Sequence, residues 1–143
     1  MPRGSAAPAV LAAVAVGGAA GAAARYGIAA SWPGPAEDGL PWPTLVTNFV
    51  GCALIGVLMR LVTAVPHPHR LLRLLRPFLG AGVLGGFTTF SVQTLEVADL
   101  LAAGRPWLAA GYAFGTLAGA LVAVWLGGAA ARPLADRIAR RVR

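Results

Sequence analysis

Four long apolar runs divide the chain, and polar or helix-breaking residues separate them. Residues 6–24 are continuously apolar up to Arg25 and Tyr26, and the first span is placed at about 6–30. Crossing a bilayer takes roughly 20 apolar residues. The run is longer than the roughly 7–15-residue core of a signal peptide, so it is read as a retained helix, although its alanines also offer A-x-A cleavage sites. Gly17 and Gly21 form a small-xxx-small face, which lets another helix approach closely. Further spans are placed at about 44–63, 71–101 and 107–131, with a basic amphipathic tail at 132–143. Gly111, Gly115 and Gly119 share one face of the fourth span. The reading is an all-α membrane protein of one domain.

The third run is different. It opens as the glycine-spaced LGAGVLGG and then turns polar, with Thr88, Thr89, Ser91, Gln93 and Thr94 at membrane depth. Within lipid, backbone leaves the helix only where protein or a water-lined cavity satisfies it. Residues 85–89 are therefore read as a break near the middle of the third span. A broken helix presents free carbonyls and N–H groups, the usual means of holding small ions in a membrane. The G-x-G-x-x-G at 80–85 follows an Arg/Leu helical pattern rather than a strand, so it is not a dinucleotide fingerprint.

Connectors carry the turn residues. Trp32, Pro33, Gly34, Pro35, Glu37, Asp38, Pro41, Trp42 and Pro43 lie in the first, and residues 64–69, AVPHPH, form the second. His67 and His69 lack nearby carboxylate or thiol partners and read as a solvated loop rather than a metal site. Arg70, Arg73 and Arg76 recur on one face ahead of the third span and suit the headgroup region.

Composition agrees: 57% hydrophobic and 12% charged, against about 25% charged in soluble domains. The single cysteine, Cys52, excludes an intrachain disulfide. The net charge is +7 and every basic residue is arginine, placed at span ends, which points to lipid headgroups rather than nucleic acid. With four spans, both termini and the middle connector share a side. That side carries Arg3, Arg60, Arg70, Arg73, Arg76, Arg132, Arg137, Arg140, Arg141 and Arg143; the other has Arg25 and Arg105 with Glu37, Asp38 and Asp99. Basic ends stay cytoplasmic, which predicts N-in and C-in in the cell membrane. Trp32, Trp42 and Trp107 then meet at the outer interface, with Trp125 near the inner one.

No Lys, Asp or Glu lies deep in a span; Glu96 sits towards the outer end of the third, and Arg25 is expected to snorkel from the end of the first. That argues against an enzyme and a proton-coupled pump. The polar equipment is neutral: Asn48, Thr88, Thr89, Ser91, Gln93, Thr94, Tyr112 and Thr116. Hydroxyl and amide donors, with electropositive ring edges from Phe87 or Phe90, can replace the water lost by an anion.

The motif GGFTTFS at 85–91 resembles the signature of the CrcB, or Fluc, fluoride channels. Gly17, Gly18, Gly21, Arg25 and Tyr26 are similar to the family's first-helix pattern, PTLVTNFVG at 43–51 to its second, and Tyr112 with Thr116 to the polar track of its fourth. The resemblance implies a passive fluoride channel that relieves fluoride toxicity, built as an antiparallel dimer. It implies a structural, untransported Na+ at the dimer centre, held by the carbonyls of Gly85 and Thr88. It implies an ion pathway past Asn48, Thr89, Phe90, Ser91, Gln93, Tyr112 and Thr116. Two positions depart from the pattern: Gln93 stands where a second phenylalanine is usual, and Ala120 lacks a hydroxyl. The strong arginine bias, unlike that of subunits that insert both ways, points to a heterodimer with an oppositely oriented paralogue. Two alternatives are a multidrug-type four-helix exporter, which needs an acid that the first span lacks, and a non-conducting subunit.

Overall fold

In the computed structural model the described residues are 6–32, 39–65 and 70–142. The readings of Arg3, Pro33, Gly34, Pro35, Glu37, Asp38, His67, His69 and Arg143 lie outside them. The described chain is helical, with four helices apolar and long enough to cross a membrane: Pro8–Ala30, Trp42–Thr63, Arg73–Ala102 and Pro106–Ala130.

The first span belongs to α1 (Ala6–Ala30) and the second is α2 (Trp42–Thr63). Pro43 sits in the first turn of α2, where a missing N–H costs nothing. The third span is composite: α3 (Arg70–Arg76), a π-helical segment (Pro77–Leu84), the single turn α4 (Gly85–Phe87), then α5 (Ser91–Ala102). The fourth is α6 (Pro106–Ala130), and α7 (Arg132–Val142) follows it. Gly104, at φ 71°, ends α5. There the Arg105 amide bonds the Leu100 carbonyl at 2.9 Å and the Gly104 amide bonds that of Leu101 at 3.0 Å. This is a Schellman ending, and Pro106 then starts the next helix.

The helices pack as two pairs. Helix α1 lies along the π-helical segment and α4, while α2 lies along α6. Beyond the break, α5 turns away from α1 and packs on α6. The interruption thus lets one span change neighbours halfway across the membrane. Glycine makes both pairs close. A Cβ on Gly21 would collide with the Val83 carbonyl, and one on Gly127 with that of Ala53. The Gly17/Gly21 face therefore does what its spacing indicated. The glycine face of the fourth span divides: Gly119 abuts Phe49, while a Cβ on Gly111 or Gly115 would point into open space among the described residues. A small core of Leu45, Leu100, Ala109 and Tyr112 ties α2, α5 and α6 together.

Candidate functional site

The third span is interrupted where its sequence turns polar. Thr88 is extended, at φ −77° and ψ 156°, so the helix cannot continue through it. In an unbroken helix the Thr89 amide would bond the Gly85 carbonyl, and the Val92 amide the Thr88 carbonyl. Here Thr89 N donates to Asn48 Oδ1 at 2.8 Å, and Val92 N donates to Thr89 Oγ1 at 3.2 Å. The carbonyls of Gly85 and Thr88 have thus lost their helical partners.

Asn48 holds the break from outside. Its Oδ1 takes the Thr89 amide, and its Nδ2 donates to the Thr89 carbonyl at 3.0 Å. One side-chain amide thereby replaces both backbone bonds of one residue, and the backbone donor fixes which way that amide faces. Asn48 is buried, one α2 turn from Thr44. From α1, Arg25 Nε donates to the Gly86 carbonyl at 3.4 Å. The first span agrees with the expected 6–30, but Arg25 lies more than a turn before its end and contacts the break. Helix α1 runs on to Ala30, and the guanidinium is turned onto the break.

A cleft of about 540 Å³ opens beside the break, between α2, α5 and α6. It brings together Asn48, Thr88, Thr89, Phe90, Gln93 and Thr116, and adds Thr94 and Cys52. Ala120, the position without a hydroxyl, also lines it. At the mouth, Phe90 is 80% exposed and Phe114 72% exposed. Ser91, Tyr112 and Gly85 are not among the lining residues. Ser91 Oγ lies 3.3 Å from Thr89 Oγ1. Three lining hydroxyls bond back to their own helices: Thr88 to the Leu84 carbonyl at 2.9 Å, Thr94 to that of Phe90 at 2.9 Å, and Thr116 to that of Tyr112 at 2.6 Å.

Tyr112 is engaged elsewhere. Its hydroxyl donates to Glu96 Oε2 at 2.6 Å, and Thr44 Oγ1 donates to Glu96 Oε1 at 2.7 Å. The carboxylate joins three helices, α2, α5 and α6, through two charge-assisted bonds. The sequence placed Glu96 only towards a span end. An acid on the inner side of Asp99 in a membrane span was the available signal, since such a group persists only where it has partners.

The fold and cleft define a multi-pass helical membrane protein with a polar site at a helix break. Residues 12–128 match the family described as "CrcB-like protein, Camphor Resistance (CrcB)". The chain belongs to the CrcB family. It is 51% identical over 123 residues to "Fluoride-specific ion channel FluC 1" of Streptomyces coelicolor, covering 86% of this chain and 77% of that protein. It is 51% identical over 133 residues to "Fluoride-specific ion channel FluC 2" of Thermobifida fusca, covering 92% and 95%. With "Fluoride-specific ion channel FluC" of Thermus thermophilus the identity is 44% over 116 residues, covering 80% and 87%.

Proposed function

We propose that this chain is a subunit of a passive channel that exports fluoride from the cytoplasm. The observation that carries the reading is the cleft itself. Neutral donors line it beside a break pinned by Asn48, and the relatives that share the sequence are named fluoride channels. An anion leaving water for an apolar medium costs tens of kcal/mol by an idealised Born estimate unless donors replace its hydration. The amides of Asn48 and Gln93 and the hydroxyls of Thr89 and Thr116 are that replacement, with Phe90 supplying a ring edge. Ser91 assists through Thr89, and Tyr112 stands one turn from Thr116.

The carbonyls of Gly85 and Thr88 suit a structural Na+. Both have given up their helical amides, and carbonyl oxygens are ligands for a hard cation. Held by these two carbonyls, such an ion would supply fixed positive charge at the break. An oppositely oriented second subunit would cover the mouth at Phe90 and Phe114, where large apolar side chains stand open. The arginine-rich end, with Arg60, Arg76 and α7, faces the cytoplasm in this arrangement, and the strength of that bias favours a paralogue as partner.

The test is flux from liposomes loaded with fluoride and followed with an electrode, with chloride as control. Fluoride should leave and chloride should stay. If the chain alone is silent but conducts with an oppositely oriented paralogue, the heterodimer holds. Silence in both cases overturns the channel reading. Tags on both termini should be labelled from one side of the membrane only, and equal labelling from both sides rejects the fixed orientation.

A further inference from the structure

Helix α7 lies beyond the stretch that matches the family, which ends at residue 128. It begins directly after α6, whose span ends at Ala130, and packs against α2, whose span ends at Thr63. Arg60 Nη2 of α2 stands 4.0 Å from Asp136 Oδ1 of α7. The helix is therefore held at the depth where two spans leave the bilayer.

Its faces suit that depth. Ala135, with Ala131 just before the helix, marks the side buried against the protein. At about 100° per residue, Arg140, Arg137 and Arg141 follow one another around the exposed side. Leu134 and Ile138 come next, between those arginines and Ala135. Leu134 is 51% exposed and Ile138 is half-buried, so the described chain covers this apolar edge only in part. A helix at span-end level with a partly uncovered apolar edge beside an arginine face has the geometry of an interfacial helix. Arginine's planar fork matches a phosphate oxygen pair.

We propose that α7 docks onto anionic phospholipid headgroups, with Arg137, Arg140 and Arg141 taking the phosphates and Leu134 reaching the acyl boundary. A nucleic acid or acidic protein would use the arginines but leave the leucine edge unexplained. The proposal rests on the membrane-spanning fold and not on the fluoride reading.

The full chain in detergent is titrated with phosphatidylglycerol and, separately, phosphatidylcholine, and bound lipid is counted by native mass spectrometry. Phosphatidylglycerol should bind in preference, and its retention should fall as salt is raised. Each basic residue near a charged surface contributes roughly 5-fold in affinity, so replacing Arg137, Arg140 and Arg141 together by Gln should weaken binding about 100-fold. The corresponding Lys replacements should keep most of it, and Leu134→Gln should lose part. Equal retention of the two lipids, or undiminished phosphatidylglycerol on the Gln variant, overturns the proposal. Should the Gln variant not fold, a wild-type preference that salt leaves unchanged overturns it equally. Fluoride efflux from phosphatidylcholine vesicles should be the same for wild type and the Lys variant, which separates this result from that of the channel reading.

Discussion

Asn48→Asp should reduce fluoride efflux by about 10- to 100-fold. The substitution keeps the acceptor for the Thr89 amide but turns the donor at Nδ2 into a second oxygen, facing the Thr89 carbonyl at a site where the two atoms now stand 3.0 Å apart. Leaving a buried acceptor without its donor costs about 1–3 kcal/mol, and 1.4 kcal/mol is about tenfold in rate. The new carboxylate also lines the cleft and repels an approaching anion. Asn48→Leu separates the two effects. It is uncharged but releases both backbone groups of Thr89, so a large loss there assigns the effect to the clamp. Efflux from liposomes, with protein shown to be monodisperse, is the measurement. Wild-type flux in both variants would remove Asn48 from the pathway and from the support of the break.

Glu96→Ala should lower stability by about 3 kcal/mol. Side-chain hydrogen bonds within membrane proteins average only about 0.6 kcal/mol, with a ceiling near 1.7. The two bonds to Glu96 belong near that ceiling, because both are charge-assisted and both donors, Tyr112 and Thr44, are buried. Alanine leaves two hydroxyls without their acceptor. Glu96→Gln should cost about half as much: its oxygen still accepts from one hydroxyl, and the other can turn to accept from the amide. Thermal unfolding in detergent, followed by tryptophan fluorescence, measures both. Equal midpoints for wild type and the alanine variant would show that the three helices hold together without the carboxylate.

The spans were legible because nothing but a bilayer explains four long apolar runs. The break was legible for a similar reason: Gly85 and Gly86 followed by Thr88 and Thr89 make a poor lipid-facing helix. What the break is bonded to was not. The pairing of Asn48 with Thr89 joins residues 41 apart and depends on how α2 is set against the third span, a register that no local pattern encodes. The partner of Arg25 was hidden for the same reason. The first span is placed at about 6–30 and α1 ends at Ala30, but the bond from Arg25 to the Gly86 carbonyl joins residues 61 apart and depends on how α1 is set against the third span. The π-helical segment was also hidden. Its wider i→i+5 bonding, seen where the Gly85 amide bonds the Gly80 carbonyl, lies where the segment packs along α1 and has no periodic signature of its own.

The way the cleft's threonines are satisfied bears on what kind of ion meets least resistance. Thr88, Thr94 and Thr116 each aim a proton inward at a carbonyl of the preceding turn, so at rest their oxygens offer lone pairs. A halide needs the opposite polarity. On the proposed pathway the Thr116 hydroxyl would first have to swivel off its own helix, at about 0.5–1.5 kcal/mol, whereas Thr89 Oγ1 is held by the Val92 amide and faces Ser91 Oγ. The side-chain amides of Asn48 and Gln93 need no such swivel, because an amide nitrogen carries two protons and Asn48 spends one on Thr89. In the proposed channel these groups would act as turnstiles set between standing donors, passing most easily an anion that repays each turn with a short, strong hydrogen bond.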